Sequence, residues 1–157
     1  MPDLVRLIIS VSVCEVAGII GSIFTTPAIP TWYAALAKPP FTPPPWLFGP
    51  VWLTLYALMG IALFLVWRQG AAVLHVQRGL ALFVLQLLLN ILWPAVFFGM
   101  RSPLYGMIVI VLLWLAILAT ILQFGKVSEL ASYLLIPYIL WVSFAAVLNL
   151  SIFILNR

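Results

Sequence analysis

The stretch LYGMIVIVLLWLAILATILQF, residues 104–124, decides the fold class of this chain. No charged side chain interrupts it, and about 20 apolar residues are enough for an α-helix to cross the hydrocarbon core of a bilayer. Four further apolar stretches of similar length lie at residues 4–24, 47–67, 80–100 and 130–155, and only the first contains charged side chains, Arg6 and Glu15. Their apolar runs are continuous rather than alternating, which excludes a transmembrane β-barrel. We therefore predict an all-α membrane protein, a bundle of five transmembrane helices.

The composition of the whole chain agrees with this prediction. Hydrophobic residues make up 66% of the 157 positions and charged residues only 6%, whereas a soluble domain carries about 25% charged residues. Lipid must therefore solvate most of the surface, so we expect a multi-pass integral membrane protein whose first partner is the lipid bilayer. Five spans and their connections use residues 1–157 as one domain. The basic residues occur singly, which argues against a nucleic-acid partner.

The first connection differs from the others in length and composition. It reads TTPAIPTWYAALAKPPFTPPPW, residues 25–46, and holds seven of the twelve prolines. We expect Thr31 to cap a short helix over residues 32–37, and the prolines after Lys38 to impose an extended, polyproline-like path. A rigid linker would explain the prolines. The aromatic residues favour a stiff lid over residues 32–45 that covers a site.

Polar and aromatic side chains recur at one-face spacing inside three of the predicted spans. Each stripe by itself is explained by helix packing, but together they predict a pocket for a flat aromatic ligand. We expect no catalytic residue, no metal site and no covalently bound cofactor, because the only histidine, His75, lies in a predicted loop. The stripes are Trp52 and Tyr56; Gln86, Asn90, Trp93 and Phe97; and Tyr138, Trp141, Ala145 and Asn149.

Further features remain open at this stage. Glu15 lies mid-span with no cation to pair with, so it is either protonated or bonded to a polar group of a neighbouring helix. Ala95 and Gly99 form a small-x-x-x-small pair, a candidate dimer face. Because successive spans cross the membrane in opposite directions, Arg101 in the third connection falls on the same side of the membrane as Lys38 in the first connection. We expect these two residues to give the mouth of the pocket a cationic rim.

The stretch WYAALAKPPFTPPPWLFGPVW, residues 32–52, resembles the TspO/MBR family, the tryptophan-rich sensory proteins and translocator proteins or peripheral benzodiazepine receptors. The family pattern W-Y-x-x-L-x-K-P-x-x-x-P-P is met in full over residues 32–44. The C-E-x-A-G of residues 14–18 looks like bacterial members in particular, which would place the chain in a bacterial cell membrane. One departure is Phe153, which stands where sterol-binding members carry a tyrosine, so we do not expect cholesterol as a ligand.

The resemblance implies five helices, often as a homodimer, that bind porphyrins such as protoporphyrin IX and drug-like isoquinoline or benzodiazepine ligands. The porphyrin would be a ligand of a carrier or sensor that regulates tetrapyrrole metabolism or transport. Two alternatives are a light-dependent porphyrin-degrading enzyme and a regulatory membrane subunit that acts through a partner. The ligand-binding residues taken from the stripes and the resemblance are Ser22, Trp32, Tyr33, Trp52, Tyr56, Asn90, Trp93, Phe97, Tyr138, Trp141 and Ala145.

Overall fold

The structure, a computed structural model, describes all of residues 1–157 and contains no strand. Five helical segments are long and apolar enough to cross a membrane, so the predicted fold class and the multi-pass membrane location are confirmed. The helices are α1 (Asp3–Ala28), which runs directly into a π-helical turn (Ile29–Tyr33); α2 (Pro45–Trp67); α3 (Leu74–Pro94), which runs into a second π-helical turn (Ala95–Gly99); α4 (Pro103–Gly125); α5 (Glu129–Leu134); and α6 (Ile136–Leu155).

Polar contacts between the ends of the helices show that successive spans are antiparallel. Asp3 at the start of α1 pairs with Arg68 after α2, at 3.5 Å. The Asn156 side chain, just after α6, contacts the backbone of Ala37 in the first connection. The two chain termini therefore lie at opposite ends of the bundle. Within it, α1 packs against α2 and α3, and α4 packs against α3 and α6.

The first span is longer than the sequence predicted. It continues through Pro27 and Pro30 to Tyr33, so the first connection is nine residues shorter at its start than expected. The cap predicted at Thr31 is wrong, because the Thr31 hydroxyl donates within the turn to the carbonyls of Pro27 and Ala28, at 2.8 and 3.4 Å. Wider π-type hydrogen bonding and local threonine hydroxyls let membrane helices tolerate proline in this way.

The connection that remains, residues 36–44, is called the strap below. It is not extended throughout, because the backbone N–H and the hydroxyl of Thr42 both donate to the carbonyl of Pro39, at 3.1 and 2.7 Å. Its end, at Pro44, is polyproline-like, with φ −62° and ψ 143°. The strap is therefore a compact turn that joins the ends of α1 and α2.

Two further expectations change at α3. The helix begins at Leu74, so His75 lies on its first turn rather than in a loop, where its carbonyl accepts a 3.1 Å hydrogen bond from Gln123. The pair Ala95 and Gly99 lies in the second π-helical turn, where a Cβ on Gly99 would approach the Phe24 ring of α1 to 2.9 Å. Gly99 therefore serves packing within the chain, and the homodimer stays a prediction.

Candidate functional site

A cavity of about 350 Å³ lies between α1, α2, α3 with its π-helical turn, and α6. Its volume lies at the lower end of the range for small-molecule sites, which are usually apolar with a few polar groups. The cavity lies in the half of the bundle nearest the strap, because its lining includes Tyr33 at the end of the first span and Pro45 at the start of α2. Helices α4 and α5 contribute nothing to its wall.

The cavity brings together nine of the eleven side chains that the sequence predicted as ligand-binding. The other two lie behind its wall. Trp32 packs edge-on against Phe97, with ring centroids 5.5 Å apart, and Tyr138 is buried one layer deeper in the core. The nine that line the cavity are Ser22, Tyr33, Trp52, Tyr56, Asn90, Trp93, Phe97, Trp141 and Ala145.

Aromatic rings form most of the cavity wall, and they hold one another in place. Trp52 stacks on Tyr56 one helical turn later, with ring centroids 5.5 Å apart. Trp93 stacks in the same way on Phe97, at 5.2 Å. The spacing of four residues places each pair on one helix face. Offset-stacked and edge-on pairs of this kind are favourable arrangements of aromatic quadrupoles, so the wall offers rigid, flat apolar surfaces.

A buried hydrogen-bond chain fixes the floor of the cavity and ties three spans together. The Tyr56 hydroxyl donates to Oδ1 of Asn90. Nδ2 of Asn90 donates to the Tyr138 hydroxyl at 2.7 Å, and that hydroxyl donates to Oε1 of Gln86 at 2.8 Å. Polar groups at membrane depth must find partners in the protein. The Asn90 side chain is therefore hydrogen-bonded to neighbouring helices. Tyr138 positions Asn90 and does not itself reach the cavity.

Two buried donors in the cavity wall have no partner in the protein. The Tyr33 hydroxyl belongs to a side chain that is only 6% exposed, and Nε1 of Trp141 is likewise covered. Both residues line the cavity. A buried donor without an acceptor costs about 1–3 kcal/mol. Both donor atoms are covered by neighbouring protein atoms, so a ligand that displaces those atoms and brings an acceptor to either donor would recover that cost.

The two cations predicted to form a rim at the mouth of the cavity, Lys38 and Arg101, have other positions. Nζ of Lys38 donates to the carbonyls of Tyr33 and Leu36, at 2.7 and 2.9 Å, and lies 4.9 Å from the centre of the Tyr33 ring. Its charge thus satisfies carbonyls at the end of the first span. Arg101 is exposed in the turn before α4, and neither cation lines the cavity. Lys38 acts on the site only by holding Tyr33.

Several lining residues were not singled out by the sequence. Phe48 lies four residues before Trp52 and packs against Trp141, with ring centroids 6.0 Å apart. Phe144 lies three residues after Trp141, at a centroid distance of 5.5 Å. Extending the one-face spacing by one turn along α2 and α6 would have found both. Glu15 also lines the cavity, and its carboxyl makes no ion pair.

Comparisons with known proteins agree over nearly the whole chain. The sequence profile of the TspO/MBR family matches residues 10–155. A protein named tryptophan-rich protein TspO from Chlorobaculum tepidum is 46% identical over 98% of both chains. One of the same name from Archaeoglobus fulgidus is 43% identical over 98% of this chain and 99% of its own. The human translocator protein is 42% identical over 75% of this chain and 70% of its own.

Proposed function

Because the chain belongs to the TspO/MBR family, we propose that it is a membrane carrier or sensor of porphyrins such as protoporphyrin IX and of similar flat apolar ligands. The observation that carries this proposal is the pair of unpartnered donors, Tyr33 and Trp141, in a wall otherwise made of aromatic rings. A flat ring system fits between such walls, and its polar edge supplies the acceptors. The names of the relatives fit either transport or sensing.

The ligand would lie against the ring faces of Trp52 on one side and Trp141 on the other. These residues come from α2 and α6, so one ligand would bridge two spans that are far apart in sequence. Carbonyl or carboxylate oxygens of the ligand would accept from the Tyr33 hydroxyl and the Trp141 indole. Since no lysine or arginine lines the cavity, recognition of the acidic edge would rely on neutral donors.

Replacing Trp141 with phenylalanine tests this arrangement. The substitution keeps an aromatic ring but removes the unpartnered Nε1 donor, so the affinity for protoporphyrin IX should fall about tenfold, as expected for one buried hydrogen bond to a charged group. Trp52→Ala removes a whole stacking surface and should cost more, about 2 kcal/mol or above. The shift of the porphyrin absorbance band in detergent measures both, without relying on the indole fluorescence that these variants remove.

Trp114→Phe is the matched control. Trp114 lies on α4, away from the cavity, and its indole donates to the Ser143 hydroxyl at 2.8 Å. Trp114→Phe likewise removes an indole N–H, but one that is bonded within the protein, so this variant should bind protoporphyrin IX as the wild type does. Equal affinity in wild type, Trp52→Ala and Trp141→Phe would remove the cavity as the porphyrin site.

A further inference from the structure

The contacts between α1 and α2 change along their length. A Cβ placed on Gly60 would lie 2.5 Å from the Cα of Val11, so the two backbones touch there. At Gly18, a Cβ would meet the Tyr56 ring at 2.5 Å. Eleven residues before Gly60, roughly 16 Å along α2, a Cβ on Gly49 would meet nothing within 4 Å. The two helices therefore lie close together at one end and apart near the strap.

The gap near the strap reaches the cavity. Besides Pro45 at the start of α2, five residues at this gap both line the cavity and are exposed. Ile19 and Leu53, for example, are each 63% exposed, although they contribute to the cavity wall. These five residues, called the window below, are Ile19, Ser22 and Thr26 of α1 and Gly49 and Leu53 of α2.

The strap lies at the other route, from water. Both backbone polar groups of Ala37 are bound by the Asn156 side chain, at 3.0 and 2.8 Å. Pro39 is buried, and Phe41 packs edge-on against Phe144 of α6 with ring centroids 6.2 Å apart. Lys38 fastens the same segment to the end of the first span. None of the strap's residues lines the cavity, but Phe41 packs on the lining residue Phe144, so the strap lies beside the aqueous end of the cavity and is held there at several points.

We propose that the cavity exchanges its ligand with the lipid bilayer through the window between α1 and α2, while the strap stays closed. The α1 edge of the window carries the hydroxyls of Ser22 and Thr26, and Glu15 lies one to two turns further along the cavity wall. The Ser22 hydroxyl donates to the carbonyl of Ile19 at 2.7 Å, yet a hydroxyl on a lipid-facing edge is still less favourable there than an apolar side chain. These polar side chains have a purpose here if a flat apolar molecule with a polar edge passes them on its way from the membrane interface to the interior.

Thiol labelling tests this route whatever the natural ligand is. Cys14 is the only cysteine, so Cys14→Ala gives a background in which Ala145→Cys places one thiol in the cavity wall. The protein is reconstituted in phosphatidylcholine vesicles. N-(1-pyrenyl)maleimide, which dissolves in the bilayer, should label the thiol. Sulfonatoethyl methanethiosulfonate, which stays in water, should label it at least about tenfold more slowly, because charged groups enter an apolar region at high cost.

Adding Gly49→Trp should fill the window, since a Cβ at Gly49 meets no atom within 4 Å and a side chain can start there without a clash. Labelling by the pyrenyl reagent should then slow about tenfold or more. Leu112→Trp is the matched control, because Leu112 is a half-exposed residue on the outer face of α4, and it should leave the rate unchanged. Asn156→Ala, which removes one attachment of the strap, should also leave both rates unchanged.

Two results would overturn the proposal. The first is a pyrenyl labelling rate that Gly49→Trp does not change. The second is rapid labelling by the water-soluble sulfonate that Asn156→Ala accelerates, which would make the strap the gate. Neither result depends on porphyrin binding, so failure of the window is distinguishable from failure of the proposed function.

Discussion

Gly60 and Gly49 lie on the same helix, yet the structure gives them opposite roles. At Gly60 the obstacle to a side chain is the backbone of Val11, which cannot move without separating α1 from α2. At Gly49 there is no obstacle. Glycine inside a helix is about 1 kcal/mol less favourable than alanine. This loss is offset only where a Cβ would clash with a neighbouring element. For Gly60 the reason is close helix packing.

Gly60→Ala should therefore destabilise the protein by about 1–3 kcal/mol, the usual cost of overpacking. Gly49→Ala, the matched change, should be neutral or stabilising by up to about 1 kcal/mol because it improves helix propensity without a clash. Unfolding in mixed detergent micelles, followed by circular dichroism, measures both. A Gly60→Ala variant as stable as Gly49→Ala would show that α1 and α2 are not in backbone contact.

At the scale of the helical elements, one residue beyond α6 helps to hold the strap. Asn156 both accepts from the N–H of Ala37 and donates to its carbonyl, which is the pairing that a neighbouring β-strand would offer. Asn156→Ala should leave these two groups to water. Because Asn156 and Ala37 are exposed, the loss of global stability should be small, below about 1 kcal/mol.

The local effect should be larger than the global one. We expect amide hydrogen exchange in the peptide that contains Ala37 to accelerate about tenfold or more in Asn156→Ala, since local opening needs less free energy than unfolding. Ser151→Ala is the control, because the Ser151 hydroxyl bonds only to Val147 within α6. Unchanged exchange at Ala37 in Asn156→Ala would show that other contacts hold the strap.

The same elements show how far a sequence can be read. The spans at residues 47–67 and 104–124 were predicted to within two residues, because Pro45 and Pro103 occupy favourable first-turn positions and polar residues follow each helix. The end of the first span was missed by nine residues. Proline at 27 and 30 signals a helix end in water, but membrane helices continue through proline when a π-helical turn and threonine hydroxyls compensate.

The site could be predicted where it follows helical periodicity, and not where it depends on backbone position. Trp52 and Tyr56 share a face by spacing alone, and the cavity lies on that face. The position of Lys38 could not be predicted, because its three carbonyl partners converge only after the first span ends where it does. A cation near a predicted mouth looks like a ligand group until the backbone carbonyls around it are known.

For the whole molecule, the cavity couples ligand binding to stability. Four of the five spans contribute to its wall, so a bound ligand bridges elements that must separate on unfolding. A ligand present at 100 times its dissociation constant should add about 2.7 kcal/mol to the free energy of unfolding. Protoporphyrin IX should therefore raise the midpoint of thermal unfolding in detergent, and Trp52→Ala should reduce this gain at equal ligand concentration.

The charge of a ligand limits how much its binding can stabilise the protein against unfolding. The cavity wall contains no lysine or arginine, and its one ionisable acid, Glu15, offers no positive charge to an anion. Two carboxylates at one edge of a porphyrin can stay near the membrane interface, whereas carboxylates all around the ring would have to enter the apolar interior unpaired. We expect uroporphyrin, with acidic chains on every pyrrole, to leave the unfolding midpoint unchanged at concentrations where protoporphyrin IX raises it. Equal stabilisation by both would mean that porphyrins bind to the basic surface of the protein, such as Arg101, rather than inside the cavity.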